Sequence, residues 1–385
     1  MDVDHSQSVA HIQAQGDVAL IHDHLNQRGG AERVLLELAW MWRHAPIYTS
    51  IYRPDSTYPE FARFDIRTSP LDRLPVDKGF RSLLPLYPYA FRSFGRIDAE
   101  LVIACSSGLA HLAQASPRAV LVVYCHTPAR WLYSTDYLGP RSRQERLIRP
   151  ALRSMRRADR AAALRADFYI ANSLHVQRRI KEAYGIEAPV VPPPVDVHRF
   201  TPRPRGERLL VVSRLLPYRH VDAIVGVATS AGIGLDVVGT GPELQRLRAL
   251  GGPTVEFHGP IHDDDVTELM ENARACFIGG AEDFGIVAVE AQAAGKPVIA
   301  FGAGGALETI EDGFSGVYFT DYDPETVLDA VRRCDALETP PELIATRARR
   351  FSRAAFRVRL LDVLPQLQGW HAAPEFDTAE VEAQQ

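Results

Sequence analysis

The sequence predicts two doubly wound α/β domains in tandem. Three observations lead there. Short β-branched apolar runs alternate with longer helical stretches; the alternation halts and then restarts; and the halt is a stretch too rich in proline to continue a strand or a helix, PVVPPPVDVHRFTPRPRGE over 189–207.

In the first series VALIH (18–22) reads as the opening strand, followed by the glycine-bearing turn DHLNQRGG and an amphipathic helix through Trp42. IYTSIY (47–52), LVIACS (101–106), VLVVYC (120–125) and FYIANS (168–173) read as further strands. The second series runs RLLVVSR (208–214), LDVVG (235–239), VEFHG (255–259), ACFIGG (275–280), PVIAF (297–301) and GVYF (316–319). Strands separated by helices imply parallel sheets covered on both faces. The expected organisation is a tail over 1–16, a Rossmann-like domain over 17–195, a hinge over 196–207 and a second Rossmann-like domain over 208–350. A C-terminal helix over 351–370 is expected to return to the first domain, and an acidic tail fills 371–385. Both tails are expected to lack fixed structure. Two such domains would face one another across a cleft, with ligands at the carboxyl ends of the strands.

At 385 residues the chain can bury two cores, and 46% hydrophobic with 24% charged residues suits a globular protein. No apolar run approaches the roughly 18 residues of a membrane span. The N-terminus MDVDHSQSVAHIQAQ has neither a basic flank nor an apolar core, so a cytoplasmic location is expected. Cys105, Cys125, Cys276 and Cys334 are too scattered for a disulfide framework or a zinc site, and read as buried thiols. A net charge of −5 points away from nucleic acid as a partner. Lysine occurs only at Lys78, Lys181 and Lys296, the mark of a GC-rich coding bias, so a single arginine carries little information.

The segment GGAEDFGIVAVEAQAAGKPVIAFGAGG (279–305) carries the most chemistry. Glu282 and Asp283 stand where a strand ends, Phe284 and Gly285 turn the chain into a helix opened by Ile286, and Glu290 follows about one turn later. Helix N-termini attract anions such as a diphosphate. A carboxylate offers only acceptors, which suits sugar hydroxyls or a ribose diol. Standing alone, the two glutamates would also read as ordinary surface acids. In SRLLPYRHVD (213–222), Arg214 and Arg219 follow a strand and could meet a diphosphate whose charge grows as a bond breaks. The turn RGGAE (28–32) lets the backbone at Gly29 and Gly30 approach a phosphate, although it lacks the third glycine of a dinucleotide fingerprint. His126 in YCHTPARWLY (124–133) lies just past a strand.

The segment from Glu282 to Glu290 resembles the E-x7-E signature of family 4 retaining glycosyltransferases, including the D-F-G after the first Glu and A-A-G-K-P-V-I-A after the second. Many members carry proline where this chain has Ala288. Arg219 stands at the family's lysine position, and His220 at a frequent arginine position. The H-T-P at 126–128 resembles the bacterial O-antigen and exopolysaccharide mannosyltransferase branch. The resemblance spans about Asp17 to Leu367 and implies a GT-B fold with the donor site in the interdomain cleft. It implies transfer of a hexose, mannose from GDP-mannose, to a polysaccharide or polyprenyl-diphosphate-linked saccharide, with retention by front-face attack. Glu282, Phe284 and Gly285 would hold the sugar, Glu290 the ribose and His126 the transferred ring. Arg214, Arg219 and the Gly29–Gly30 amides would hold the diphosphate, and Gly259 and Ile261 the base.

No metal or other cofactor is expected. HDDD (262–265) and DYD (321–323) resemble a metal-binding D-x-D but sit at a helix start and in a turn. The alternatives are a UDP-sugar donor, a nucleotide-sugar epimerase or phosphorylase, and a non-catalytic nucleotide-sugar binder. Two segments mix basic with apolar residues: 73–96, with Lys78, Arg81, Arg92 and Arg96, and the arginine series from Arg141 to Arg165. Either suits a lipid-linked acceptor and peripheral contact with an anionic membrane, or a solvated basic face.

Overall fold

The computed structural model describes residues 17–74, 86–133 and 143–364, and within the helix Arg143–Ala163 the side chains from Leu152 on. The expected tails over 1–16 and 371–385 lie outside the described residues, as do Lys78, Arg81 and Arg141 of the basic segments. The chain forms two compact units. One comprises Met1–Asn172, Val176–Val191 and Val358–Gln385, the other Ser173–His175 and Pro192–Arg357.

The first unit is built on six parallel strands: β1 (Val18–His22), β2 (Ile47–Thr49), β3 (Ile66–Thr68), β4 (Leu101–Ser106), β5 (Val120–Cys125) and β6 (Phe168–Ala171), in the order β3-β2-β1-β4-β5-β6. All five residues of β1 and all six of β4 are buried. Burial on both faces explains why these strands read as unbroken apolar runs rather than alternating ones. The expected strand over 47–52 stops at Thr49. Ser50 leaves the ladder there: its N–H donates to the Asp23 carbonyl at 3.3 Å, and its own carbonyl accepts from the Ser69 hydroxyl at 2.8 Å. The edge strand β3 was not expected from the sequence. The basic helix Arg143–Ala163 is pinned by the buried Asp159, which lies 2.9 Å from His111 Nε2 and accepts from the Tyr133 hydroxyl at 2.7 Å.

The second unit repeats the plan with β7 (Leu209–Val212), β8 (Leu235–Val238), β9 (Val255–Gly259), β10 (Ala275–Ile278), β11 (Val298–Phe301) and β12 (Gly316–Phe319), in the order β9-β8-β7-β10-β11-β12. Alternate residues of β10 serve different cores. Cys276 and Ile278 pack with Val289 and Phe351, whereas Ala275 and Phe277 pack with Ile224 and Val331. Both sheets have the doubly wound order with one switch point, between β1 and β4 in the first unit and between β7 and β10 in the second. Ligands of such sheets bind beyond the strand ends at the switch.

The proline-rich stretch expected as a hinge is tied into the second unit from Pro192 on. Val195 donates to the Phe351 carbonyl at 2.9 Å, and Thr201 N–H to Glu271 at 2.8 Å. Lys296, fully buried, donates to the carbonyls of Arg203 and Pro204 at 2.8 and 2.6 Å. Prolines supply no N–H of their own, so the anchoring falls to the N–H groups of the residues between them and to neighbouring side chains. Past residue 340 the described chain forms two helices, Pro341–Ala348 and Arg353–Val363, separated by a tight turn at Arg349–Phe351.

Candidate functional site

At the switch point of the second sheet, the loop after β7 lies against the loop after β10 because glycines let it. A Cβ on Gly279 would stand 2.5 Å from the Arg219 carbonyl oxygen, and one on Gly280 2.6 Å from that of Tyr218. His220 closes the turn in the left-handed region at φ 47, with its ring stacked on Tyr322 at 3.9 Å, and the Tyr322 hydroxyl donates to Gly279 at 2.8 Å. A non-glycine residue held at positive φ costs free energy that surrounding contacts must offset. The turn brings the Arg219 guanidinium onto the Glu282 carboxylate, both groups mostly buried. Arg214, at the end of the same strand, is exposed.

A second pair of glycines fixes the Glu282–Gly285 loop from the other side. Gly304 pairs with Glu282, and Gly305 N–H donates to the Glu282 carbonyl at 2.8 Å. Phe284 is buried with its ring edge-on to Phe351 at 5.2 Å. Gly285, at φ 93, caps the helix Ile286–Ala293, whose first N–H groups have no partner within the helix. Asp283 and Ile286 are half-buried. Glu290 is 5% exposed and faces Arg199 Nη2 at 3.7 Å. Gly259 ends β9 at φ 69, and the half-buried Ile261 packs against the Val289 cluster. One unit therefore supplies Arg214, Arg219, Glu282, Glu290 and a helix N-terminus around one sheet switch.

In the first unit the corresponding switch is filled from within. The buried Asp23 carboxylate accepts from the N–H groups of Ser107, Leu109 and Ala110 at 2.6, 2.7 and 2.8 Å. Gly29 caps the helix Gly30–Met41 in extended conformation, and a Cβ there would meet a Glu32 carboxylate oxygen at 2.6 Å. Burial would raise the Glu32 carboxyl, but the hydrogen bond and charge of His22, aided by His24 and Gln27, hold it at about 2. A carboxylate thus already stands at the helix N-terminus expected to meet a diphosphate. His126, buried after β5, donates its N–H to Ser106 at 2.8 Å and accepts at its carbonyl from Asn172 at 3.1 Å, with its ring 5.2 Å from Tyr124. Sequence reasoning missed Asp23, Glu32 and Arg199, and did not separate the roles of Gly279, Gly280, Gly304 and Gly305.

Among the described residues, Asp236, Glu256 and His258 bring three possible metal ligands together. Arg208 already serves this group, donating to Asp236 at 2.9 Å and pairing with Glu256 at 3.1 Å, while His258 Nε2 lies 2.8 Å from Asp236. The set is a satisfied charge network spanning β8 and β9. Asp263–Asp265 occupy the first turn of the helix Asp263–Glu271, where negative charge meets the positive end of the helix.

Residues 28–199 match the family described as Glycosyltransferase Family 4, and residues 198–355 match Glycosyl transferases group 1. The chain therefore carries a family 4-type and a group 1-type glycosyltransferase domain, in two Rossmann-like units of the GT-B fold. The D-inositol 3-phosphate glycosyltransferase of Geodermatophilus obscurus is 32% identical over 254 residues, covering 56% of this chain and 55% of that protein. A GDP-mannose-dependent alpha-(1-6)-phosphatidylinositol monomannoside mannosyltransferase of Mycobacterium tuberculosis is 34% identical over 192 residues, 41% of this chain and 50% of that one. The chain spans about half the length of these curated relatives. Among solved structures, the Anabaena protein HepE in complex with UDP and glucose has a TM-score of 0.68 at 20% identity, covering 92% of this chain and 100% of its own. Sucrose-phosphate synthase of Thermosynechococcus elongatus gives 0.67 at 18%, covering 92% and 99%. These two likenesses establish the fold. Among the described residues no helix is long and apolar enough to cross a membrane.

Proposed function

We propose that the chain is a retaining hexosyltransferase that moves mannose from GDP-mannose to a saccharide or polyprenyl-diphosphate-linked saccharide acceptor. The observation that carries this reading is the Arg219–Glu282 contact at the switch point of the second sheet, beside the start of the helix Ile286–Ala293. The pair keeps a mostly buried cation and carboxylate mutually compensated until a donor takes them up. On binding, the guanidinium turns to the diphosphate and the carboxylate to the sugar hydroxyls. Arg214 adds a second cation, and Glu290 accepts from the ribose diol. Within this unit Arg214 and Arg219 carry the leaving-group stabilisation.

In the reaction the acceptor hydroxyl attacks the anomeric carbon on the face the leaving group departs from. The bond from that carbon to the diphosphate oxygen breaks, and the diphosphate takes the hydroxyl proton. The mannosyl donor is supported by the mannosyltransferase relatives and by the H-T-P sequence at His126. Peripheral contact with an anionic membrane is supported by the exposed Arg153, Arg157 and Arg160 beside Leu164, which is 59% exposed. Unchanged flotation with anionic liposomes after these arginines are replaced would remove that contact. For the donor, GDP-mannose, GDP-glucose, UDP-glucose and UDP-galactose are compared by slow hydrolysis and by thermal shift. GDP-mannose alone giving both signals is expected. A response to UDP-sugars alone would replace the donor, and silence to all four would overturn the reading.

A further inference from the structure

We propose that Arg199 is a positioning residue for the donor nucleoside, holding Glu290 where its carboxylate accepts hydrogen bonds from the ribose diol. The inference rests on the reading of Glu290 as the ribose anchor. Glu290 is 5% exposed, and a buried carboxylate needs a compensating charge. Arg199 Nη2 lies 3.7 Å from Glu290 Oε1, close enough for attraction and too long for a hydrogen bond. At that distance the pair offsets the buried negative charge and steers the carboxylate. Arg199 Nη1 lies 3.9 Å from Asp263 Oδ2, so one guanidinium spans two acids on the helices that follow β9 and β10.

The guanidinium is itself held. Its Cζ lies 4.7 Å from the ring centre of Phe200, a core residue packed with Ala288 and Ala291 of the Glu290 helix. The short turn Val197–Arg199 that presents it is capped by Asp196, next to Val195, whose backbone is bonded to Phe351. A planar guanidinium can stack on a ring and face two carboxylates at once, which a lysine ammonium cannot. Arg199 lies in the proline-rich stretch and supplies a fixed charge beneath the expected ribose subsite.

The test measures affinity of the full-length chain for GDP and 2′-deoxy-GDP, and for UDP and 2′-deoxy-UDP, by calorimetry, using the base that wild type binds more tightly. Wild type should prefer the ribonucleotide by about tenfold or more, the usual worth of a hydrogen bond to a charged group. Arg199→Met should weaken the ribonucleotide by a similar factor and leave the 2′-deoxy nucleotide little changed, so the preference collapses. Arg199→Lys should retain part of it, and Asp263→Asn all of it. A general structural defect would weaken both nucleotides together, which would also overturn the proposal. Full preference in Arg199→Met, with Glu290→Gln having lost it, would leave Glu290 as ribose anchor and remove Arg199. No preference in wild type, or no binding of either base, would remove the Glu290 reading and the proposal with it. If Arg199→Met does not fold, Arg199→Lys decides: an unchanged preference there sinks the idea.

Discussion

Replacing Gly305 by alanine directs a methyl group at backbone rather than at a side chain that could rotate away. The new Cβ would stand 2.4 Å from Phe284 Cα, 2.5 Å from its carbonyl oxygen and 2.6 Å from its carbonyl carbon. Ordinary contact begins at 3.4 Å, so Phe284 and the adjoining Glu282 must retreat by about 1 Å. Gly305 has φ −68, which alanine adopts freely, so the effect is steric and free of backbone strain. The hydrogen bond from Gly305 N–H to Glu282 would stretch with the same shift. Overpacking of this kind costs about 1–3 kcal/mol of stability. Displacing a binding group by about 1 Å can cost on the order of a hundredfold in rate. Donor hydrolysis by Gly305→Ala, followed by release of the nucleoside diphosphate, should therefore fall about a hundredfold at a temperature where circular dichroism shows the variant folded. Wild-type turnover in a folded Gly305→Ala protein would refute the claim that this loop holds the donor.

Three further outcomes test the surrounding physics. Gly226, inside the helix Val221–Ala231, has nothing within 4 Å of where an alanine Cβ would stand, so Gly226→Ala should raise stability by up to about 1 kcal/mol in urea titration and leave hydrolysis unchanged. Burial lowers Lys296 to about 8 from its ordinary 10.5, with the positive charge of Arg203 and Arg205 adding to the effect and Glu271 opposing it. The unfolded chain then binds more protons between those values, so wild type should gain on Lys296→Met as pH rises from 8 to 10.5, by up to about 1.4 kcal/mol per unit in the unfolding free energy. Glu32, held at about 2 against an ordinary 4.5, has the opposite dependence. Its contribution is complete above 4.5 and lost as pH falls to 2, so the stability gap between wild type and Glu32→Gln should close over that window; a constant gap would contradict the His22–Glu32 pairing.

Most strands were legible because each is buried on both faces and so reads as an apolar run: VALIH, LVIACS and VLVVYC became β1, β4 and β5 unchanged. Ile66–Thr68 was not legible, since IRT carries one apolar residue and forms an edge strand through its pairing with Ile47–Thr49. The acids Glu282 and Glu290 could be singled out through their spacing and family resemblance, and so could Arg219, the partner of Glu282. The partner of Glu290 could not. Arg199 is one arginine among many, far ahead of Glu290 along the chain in a stretch read as a connector, and only the fold brings it alongside. The closeness of Gly305 to Phe284 is likewise a property of the loops after β10 and β11 in space. Asp23 escaped notice because its ligands, Ser107 to Ala110, become neighbours only when β1 pairs with β4.

If the carboxyl edge of the second sheet holds a nucleotide sugar through Glu282 and Arg219, loss of the Glu282 carboxylate must show in turnover. The most direct measurement is the rate at which Glu282→Ala turns over whichever donor the wild type hydrolyses, with binding of the free nucleoside diphosphate followed in parallel. Turnover should fall by about a hundredfold or more, as for a lost charged contact to the sugar, while diphosphate binding persists through Arg214 and Arg219. Turnover at the wild-type rate in Glu282→Ala would contradict it.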